Sequence, residues 1–421
     1  YPAHVLNTID GETYLRDYNY KMLPGTGPYI VNEADVDRGN RVVIRRRSDY
    51  WAESSRRNVG LHNFDEIHQI VVRDDNLAFE MFKRGDLDYY HVNVSREWVE
   101  ELDTEPVQRG LLQKRKVFNE YPLGMSGIAF NARREPWQDV RVRRALAHLY
   151  NRQLMIEKLF FGEYFRKTSY FSGPYRNPGN PDIRYDPELA VSLLAEAGWT
   201  ERNSQGRLVK DGQPLTAELL YGQQGLEPSF TMFQEDLRRV GITLNLRLVT
   251  FETMIQLIDE RRFDLVSVAY TGLLFPNPET TFHSSLADVD NTNNITAVKS
   301  PRIDELLIRY DTEFDQQARE EIIREVDGIL GDLHNYILGW EAPFFRIAFW
   351  NRFGAPEGYL SRFGYYRDPL SLWWVDPQKE ASWRQAMASP SERMDVGETD
   401  VHYWEQYVEG SAELRAMPDG H

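Results

Sequence analysis

Apolar positions in the first 130 residues recur in short runs that are typical of strands. One short helix interrupts them over Leu77–Lys83, and Gly85 follows as the residue that ends it. The strands predicted in this region are Tyr29–Asn32, Arg41–Arg47, Ile67–Val72 and Leu87–Val92. The region therefore predicts a mainly β part of an α/β protein.

Residues 139–200 have apolar positions at helical spacing. Asp139 and Asn151 are placed to cap two successive helices, and Gly162 ends the second. The sequence D-P-E at 186–188 combines a cap, a proline in the first turn and an acidic residue, so it begins a third helix that ends at Gly198. This region is predicted to be helical throughout.

Residues 215–350 alternate between strand and helix patterns, which favours an α/β unit. The strands predicted are Leu215–Tyr221, Ile242–Val249, Phe263–Tyr270, Tyr336–Trp340 and Arg346–Trp350. The helices predicted are 230–240, Phe251–Ile258, one that begins at Pro301, and 316–333. Residues 388–399 are polar and are expected to form a linker or mobile tail.

The composition suits a globular protein of two or three domains. The chain has 421 residues, of which 41% are hydrophobic and 27% charged. A net charge of −16 provides no basic surplus for phosphates, so nucleic-acid binding is not expected. There is no cysteine, which excludes disulfides and thiolate chemistry. No apolar run reaches the length of a membrane span.

Several signatures of catalysis are incomplete in this chain. Gly25-Thr-Gly27 lacks the third glycine of a dinucleotide-binding loop, and G-M-S-G at 124–127 is not a nucleophile elbow. The nine histidines have no metal-ligand spacing, so neither a metal nor a cofactor is predicted. Two of the many acidic residues could in principle form a hydrolase pair, although nothing selects such a pair.

Several fragments in register together resemble one family. They are GTGPYIVNEADVDRGNRVVIRRRSDYW, FDEIHQIVVRDDNLAFEMFKRGDLDYY, IAFNARREPWQDVRVRRALAHLYNRQLMIEKLFFG and YDPELAVSLLAEAGW. This set is similar to the extracellular solute-binding proteins of family 5, the oligopeptide- and dipeptide-type receptors of ABC importers. LPGTGPY, YPLGMSGIAFNARREPW and WEAPFFRIAFW resemble the YejA-like branch of that family.

The resemblance implies a two-lobed α/β fold of the type II periplasmic-binding-protein class, with mixed sheets flanked by helices. It implies lobe I over 1–131, lobe II over 132–334, a C-terminal return to lobe I over 335–383 and a polar tail over 384–421. The implied protein is periplasmic or otherwise extracytoplasmic. It captures an oligopeptide or peptide-like solute between its lobes and delivers it to membrane permease subunits, with which it associates, and it is not an enzyme.

The family resemblance begins unusually early in this chain. Relatives have a long region before the G-T-G-P-Y segment, which here starts at Gly25, and the Pro2-Ala3-His4 stretch resembles the end of that region. We therefore expect the N-terminal piece of lobe I to be missing from this chain. A second polypeptide that completes lobe I is one possible partner.

The end of the strand Phe263–Tyr270 is the first candidate for a ligand site. Tyr270, Thr271 and Gly272 follow a buried strand, and ligands of open α/β sheets bind at such ends. The resemblance supports this interpretation. The alternative is a plain strand exit.

Three further groups of residues are candidates, each with a structural alternative. Asn291, Asn293 and Asn294 either face a ligand or make ordinary turns, and Asn131 either donates to a ligand carbonyl or caps a turn. Trp340, Phe344 and Arg346 either bind a ligand carboxylate between aromatic rings and a guanidinium, or the aromatic rings form core and Arg346 is exposed.

Leu274 complicates the assignment of a peptide ligand. The resemblance implies an aspartate for the peptide's α-ammonium group near this point, and an ungapped alignment on Pro278 places it at Leu274. Leucine does not bind an ammonium group. Either another acid binds it, or the ligand is not a peptide with a free amino terminus, which leaves oligosaccharides, opines and nickel complexes open.

Overall fold

The computed structural model describes residues 3–18, 22, 23 and 25–416. The Pro2 position of the early motif lies outside the described residues. The chain forms two compact units, unit 1 from residues 1–120 and 344–421 and unit 2 from residues 121–343.

The first part of unit 1 is a set of short strands with small helices between them. Its strands are β1 (Tyr29–Ile30), β2 (Val36–Asp37), β3 (Arg41–Arg46), β4 (Glu66–Ile70), β5 (Tyr89–His91) and β6 (Leu112–Phe118). Its helices are α1 (Ala3–Leu6), α2 (Gly11–Asp17), α3 (Asp75–Arg84) and α4 (Glu105–Gln108), with a π-helical turn at Glu97–Glu101. The four predicted strands are confirmed, and each is shorter than predicted.

Unit 2 alternates strands and helices. Its strands are β7 (Ser126–Phe130), β8 (Phe165–Arg166), β9 (Glu201–Arg202), β10 (Leu208–Lys210), β11 (Gln213–Pro214), β12 (Thr216–Tyr221), β13 (Thr243–Leu248), β14 (Leu265–Ala269), β15 (Tyr336–Leu338) and β16 (Trp340–Glu341). Its helices are α5 (Val140–Leu149), α6 (Arg152–Leu159), α7 (Pro187–Glu196), α8 (Glu227–Val240), α9 (Phe251–Asp259), α10 (Glu279–Phe282), α11 (Pro301–Thr312) and α12 (Gln316–Leu333).

The chain then returns to unit 1. The returning strands are β17 (Phe344–Trp350), β18 (Phe353–Gly354), β19 (Trp374–Val375) and β20 (Asp400–Val401), and the helices are α13 (Pro369–Leu372), α14 (Pro377–Ala388) and α15 (Tyr403–Ala416).

The helix boundaries of unit 2 follow from local chemistry. The carboxylate of Asp139 accepts a hydrogen bond from the Arg141 N–H at the start of α5. Asp186 caps α7 in the same way, with Pro187 in the first turn. Helix α8 ends where Gly241 adopts φ +93°, a left-handed conformation that favours glycine. The predicted helices are therefore confirmed.

The central sheet of unit 2 has five strands in the order β13-β12-β14-β7-β15. Strand β12 runs parallel to β13 and β14, and β14 runs antiparallel to β7. Neighbouring residues of β12 face opposite sides, so Leu219 belongs to one hydrophobic cluster and Leu220 to the other. Helices cover both faces, which explains why the second half of the strand, Leu219–Tyr221, is buried and continuously apolar.

The observed units differ from the sequence-based division at both crossings. The expected boundaries at 131/132 and 334/335 would separate β7 and β15 from unit 2. These strands pair with each other, with Tyr336 opposite Ala129, and β7 also pairs with β14. Because hydrogen-bonded strands belong to one sheet, unit 2 extends to residues 121 and 343.

The segment expected as a polar tail is attached to unit 1. The Arg109 guanidinium donates to the main-chain oxygens of Ala386, Ser389 and Glu392. Strand β20 pairs in parallel with β6 and completes a sheet of order β20-β6-β17-β5. The prediction of a free tail was wrong because it relied on polar side chains, whereas this segment is attached through hydrogen bonds of its main chain. No helix in the described part of the chain is long and apolar enough to cross a membrane.

Candidate functional site

A cavity of about 580 Å³ opens in unit 2 at the end of β14. Its walls come from β7, β14, the start of α8, helix α9, the loop after residue 290 and β16. Its aromatic lining residues are Tyr150, Phe230, Phe251, Tyr270 and Trp340. Of the candidates, this cavity brings together Tyr270, Asn291, Asn293 and Trp340.

The strand end is shaped by two glycines that face a neighbouring segment. A Cβ atom on Gly124 would lie 1.5 Å from the Tyr270 main-chain oxygen, and one on Gly272 would lie 2.0 Å from the Pro122 oxygen. The Tyr270 N–H continues the ladder by donating to the Met125 oxygen at 2.8 Å. Only glycine allows the two segments to approach this closely.

Tyr270 lies between two cavities. The second, of about 180 Å³, is lined by Thr271, Gly272 and Phe282 among others. Thr271 and Gly272 line only this second cavity, whereas Tyr270 contributes to both. Burial raises the pKa of the Tyr270 hydroxyl, so this group is neutral and can donate a hydrogen bond.

The three candidate asparagines have different environments. Asn291 is exposed and adopts φ +54°, a left-handed conformation that asparagine tolerates, and Asn293 is exposed beside it. Asn294 is buried; its amide donates to the His283 and Val298 oxygens and accepts from the Val298 N–H. The expectation that Asn294 faces a ligand is therefore corrected, because its side chain fastens the loop.

Two arginines hold the segment that carries these asparagines. Arg133 donates to the main-chain oxygens of Ala287, Asn294 and Ile295. Arg261 donates to the Val289 oxygen at 2.7 Å and to Thr292, at both its main-chain oxygen and its hydroxyl. Burial lowers the pKa of the Arg133 guanidinium to about 10, so it remains charged at neutral pH.

Asn131 is part of the same support. It is 1% exposed, and its amide donates to the main-chain oxygens of Arg261 and Phe263 at 3.0 and 3.1 Å. Its oxygen accepts from Arg133. The expectation of a ligand contact is corrected, because these bonds occupy both ends of the amide.

The expected aromatic–basic group at 340–346 is divided between the two units. Trp340 is in β16 of unit 2, where its ring lies 4.6 Å from that of Phe160. Phe344 and Arg346 are in β17 of unit 1. Arg346 is 3% exposed and donates to the Ser95 hydroxyl and the Asn93 oxygen, while Phe344 packs on Phe118 at 5.2 Å. The ligand role expected for Phe344 and Arg346 is therefore corrected to a structural one.

Asp259 was missed by the sequence-based reasoning. It is the last residue of α9, and among the described residues that line the larger cavity it is the one with a charged side chain. A carboxylate is disfavoured at a helix C-terminus, and that unfavourable placement was a signal available in the sequence. Phe251 and Ile255, one turn apart on the same helix, are exposed and also line the cavity.

Leu274 does not line either of these cavities. Its side chain is 44% exposed in the loop that follows Gly272. The position that the alignment identified with an ammonium-binding aspartate is therefore neither acidic nor on a cavity wall.

Comparison with known proteins identifies similar chains. The family model described as bacterial extracellular solute-binding proteins, family 5 Middle, matches residues 3–293. The probable peptide-binding protein YejA of Agrobacterium fabrum is 27% identical over 375 residues, which are 79% of this chain and 60% of that protein. This chain thus spans less than two thirds of that relative's length.

Two solved structures are similar in fold. The oligopeptide-binding protein AppA of Bacillus subtilis, solved with a nonapeptide, has a TM-score of 0.72 at 21% identity and covers 89% of this chain and 71% of its own. A mannohexaose-bound oligopeptide-binding protein of Thermotoga maritima has a TM-score of 0.67 at 20% identity and covers 91% and 71%. The expected two-lobed, type II periplasmic-binding-protein fold is confirmed.

Proposed function

Because the chain belongs to the bacterial extracellular solute-binding proteins of family 5, we propose that it is the substrate-binding receptor of an ABC importer. It takes up an oligopeptide or peptide-like solute outside the cytoplasm and delivers it to permease subunits in the membrane. The observation that carries this proposal is the cavity at the end of β14. The similarity to a YejA protein named as peptide-binding supports the choice of solute.

The cavity has the dimensions of a ligand site. Its volume of about 580 Å³ lies within the range of about 300–1,000 Å³ that is usual for small-molecule pockets. Apolar side chains such as Met254 and Ile258 form much of its wall. Apolar walls of this kind accept varied side chains through contact area, which suits a receptor that binds many sequences.

Polar groups at the rim suit the main chain of a peptide. The Asn291 and Asn293 amides each offer donors and an acceptor, and the Ser126 and Ser267 hydroxyls are on the same wall. Hydrogen bonds to a peptide's main chain do not depend on its sequence. Waters can fill the remaining space between the wall and short side chains.

The lining favours binding over hydrolysis. A glycosidase needs two facing carboxyl groups, and among the described residues of this wall Asp259 is the single carboxylate. Serine nucleophiles need an adjacent base, and no histidine is among the lining residues in the part of the chain that the structure describes. A hydrolase is therefore the weaker candidate.

An oligosaccharide receptor is the second candidate. It is favoured by the aromatic side chains of the wall, such as Phe251 and Trp340, because such rings also stack on sugars. The Thermotoga maritima structure with mannohexaose shows that a protein of this fold is found with such a ligand. The mixture used in the following experiment separates the two candidates.

Native mass spectrometry of the purified protein, mixed with peptides of two to ten residues and with manno-oligosaccharides, tests the proposal. We expect one bound peptide per chain, with its mass unchanged after hours of incubation. Gly222→Leu adds a side chain beside Met254 on the cavity wall and should weaken binding at least 10-fold, whereas Gly225→Leu, which points into open space, should not. Retention of sugar alone, release of cleaved products, or peptide binding that is unchanged in Gly222→Leu contradicts the proposal.

A further inference from the structure

The larger cavity combines several aromatic rings with one negative charge. Asp259 provides the charge, and lysine, arginine and histidine are absent from the described residues that line the wall. We propose that Asp259 binds a protonated amine of the ligand, so that the cavity selects solutes with an ammonium group next to an apolar or aromatic body. This inference rests on the proposed function and names the chemical class that the site accepts.

The place of Asp259 in the fold favours a cation close to its carboxylate. It ends α9, where the helix dipole places partial negative charge. Its own main-chain oxygen accepts the Asn291 N–H at 3.2 Å, which fixes the residue beside the asparagine loop. A cation bound here is attracted both by the carboxylate and by the helix end.

The Asp259 carboxylate is available to a ligand. Within the described part of the chain, it makes no hydrogen bond to another side chain and no ion pair. The neighbouring Arg261 guanidinium is directed to Val289 and Thr292 instead. Asp259 and Asp290 interact with Arg261 through their charges, without a hydrogen bond, and this interaction raises the pKa of Arg261. Burial lowers that pKa by more, so the net shift is downward.

The aromatic rings add attraction for the same charge. Cations bind over the faces of tryptophan, tyrosine and phenylalanine, and Tyr150, Phe251 and Trp340 all contribute to this wall. A ligand carboxylate would meet no basic side chain among the lining residues that the structure describes, and Asp259 would repel it. The ligand is therefore held with its amine inside and any acidic group outside the cavity.

The ammonium group could belong to a peptide's α-amine, to a lysine side chain or to a small free amine. The chemistry at Asp259 is the same in each case. Probes that carry one of these groups at a time distinguish the sources. They are Phe-Ala-Ala amide, its N-acetylated form, N-acetyl-Phe-Ala-Lys amide and phenethylamine.

Calorimetric titration of the wild-type protein with these probes is the direct test. We expect Phe-Ala-Ala amide to bind about 10- to 100-fold more tightly than its N-acetylated form, as befits a hydrogen bond between charged groups. If the lysine probe alone recovers the affinity, the amine comes from a side chain; if phenethylamine does, the peptide main chain is dispensable. Equal affinity for all four probes overturns the inference without any variant.

Asp259→Asn isolates the carboxylate. We expect this variant to lose the preference for the free amine and to bind the N-acetylated peptide as the wild type does. Asp290→Asn is the matched control, because Asp290 is an exposed carboxylate on the neighbouring loop that does not line the cavity. Asp259→Ser repeats the test if the asparagine variant is poorly folded.

The outcomes separate the inference from the proposed function. If the wild type binds none of the peptides or amines in any assay, the proposed function itself fails. If it binds free and acetylated peptides equally, and Asp259→Asn changes neither, the receptor function stands and the role of Asp259 is wrong. A loss of the same size in Asp290→Asn also contradicts that role, because it would indicate a general effect of charge.

Discussion

The main-chain oxygen of Asp259 accepts a hydrogen bond from the main-chain N–H of Asn291 across 3.2 Å. This bond joins the end of α9 to the loop on the cavity rim. The main chain that carries the Asp259 carboxylate is therefore held beside the main chain that carries the Asn291 amide, and Arg133 and Arg261 donate hydrogen bonds to the same loop. Because Arg261 holds the loop without lining the cavity, a substitution of Arg261 tests the support of the loop separately from ligand contacts.

Arg261→Gln should weaken ligand binding several-fold although Arg261 does not line the cavity. The change removes the guanidinium bonds to Val289 and Thr292 and should lower the free energy of unfolding by about 2–3 kcal/mol. Calorimetry with a bound peptide and thermal unfolding measure the two effects.

The adjacent Arg262 offers a matched control for this prediction. Arg262 is exposed and pairs with Glu260 at 2.9 Å, and such surface pairs contribute less than about 1 kcal/mol. Arg262→Gln should leave both affinity and stability nearly unchanged. Similar losses in the two variants would contradict the special role of Arg261.

Gly124→Ala should destabilise unit 2 by about 2–3 kcal/mol, since its methyl group would overlap the Tyr270 main-chain oxygen and force the strand end to move. The strand end forms part of both cavities, so peptide affinity should fall as well. Gly225→Ala, whose methyl group would meet open space, is the control. An unchanged melting temperature for Gly124→Ala would show that the two segments are not in close contact.

The buried ion pair of Lys167 and Glu341 should respond unequally to its two deletions. The Lys167 side chain is fully buried, and its Nζ lies 2.7 Å from Glu341, which also pairs with Arg176. Glu341→Gln leaves a buried ammonium group without a counter-charge and should cost about 3–5 kcal/mol. Lys167→Met removes that charge while Arg176 still neutralises Glu341, so it should cost less; the opposite order in urea unfolding would refute this account.

The stability of unit 1 should fall as the pH rises through the range of about 4.5 to 7. Glu97 is 3% exposed, and burial, with the nearby charges of Glu101 and Asp75, raises its pKa from 4.5 to about 7 despite Arg96 and Lys83. In that range the folded chain holds a proton that the unfolded chain has released, so rising pH favours unfolding.

Glu97→Gln should remove this contribution and flatten the pH dependence of the free energy of unfolding. The neighbouring exposed Glu100 gives the control variant Glu100→Gln, which should keep the wild-type slope. Urea unfolding at pH 5, 6, 7 and 8 measures it. A constant difference between wild type and Glu97→Gln across these pH values would rule out the titration of Glu97.

Much of the fold was predictable because local chemistry decides it. The caps Asp139 and Asp186 and the terminating Gly241 fix helix ends through contacts within a few residues, and the apolar run before Tyr270 is long enough to identify a buried strand. The boundaries of the two units were harder to predict from the sequence. They depend on the pairing of β7 with β15, whose partners are about 200 residues apart in the chain.

The sequence does not show which of the candidate side chains are buried and which reach the cavity. Tyr270 follows strand β14, whose end borders the cavity, and Asn291 lies in a loop that also lines it. Asn131 and Asn294 look the same in sequence, but both side chains are buried. The Asn131 amide donates to the Arg261 main-chain oxygen and the Asn294 amide to the His283 main-chain oxygen, so neither is directed to a ligand. Arg346 failed for the same reason, because its partners at residues 93 and 95 are visible only in the folded structure.

Hydrogen–deuterium exchange, with and without the tightest peptide from the mass-spectrometric screen, tests most directly that the cavity at the end of β14 is the ligand site. The account predicts slower exchange on binding in residues 267–272 and 291–295, and no change in β9 and β10, which do not line the cavity. Unchanged exchange in both cavity segments at saturating peptide would contradict it.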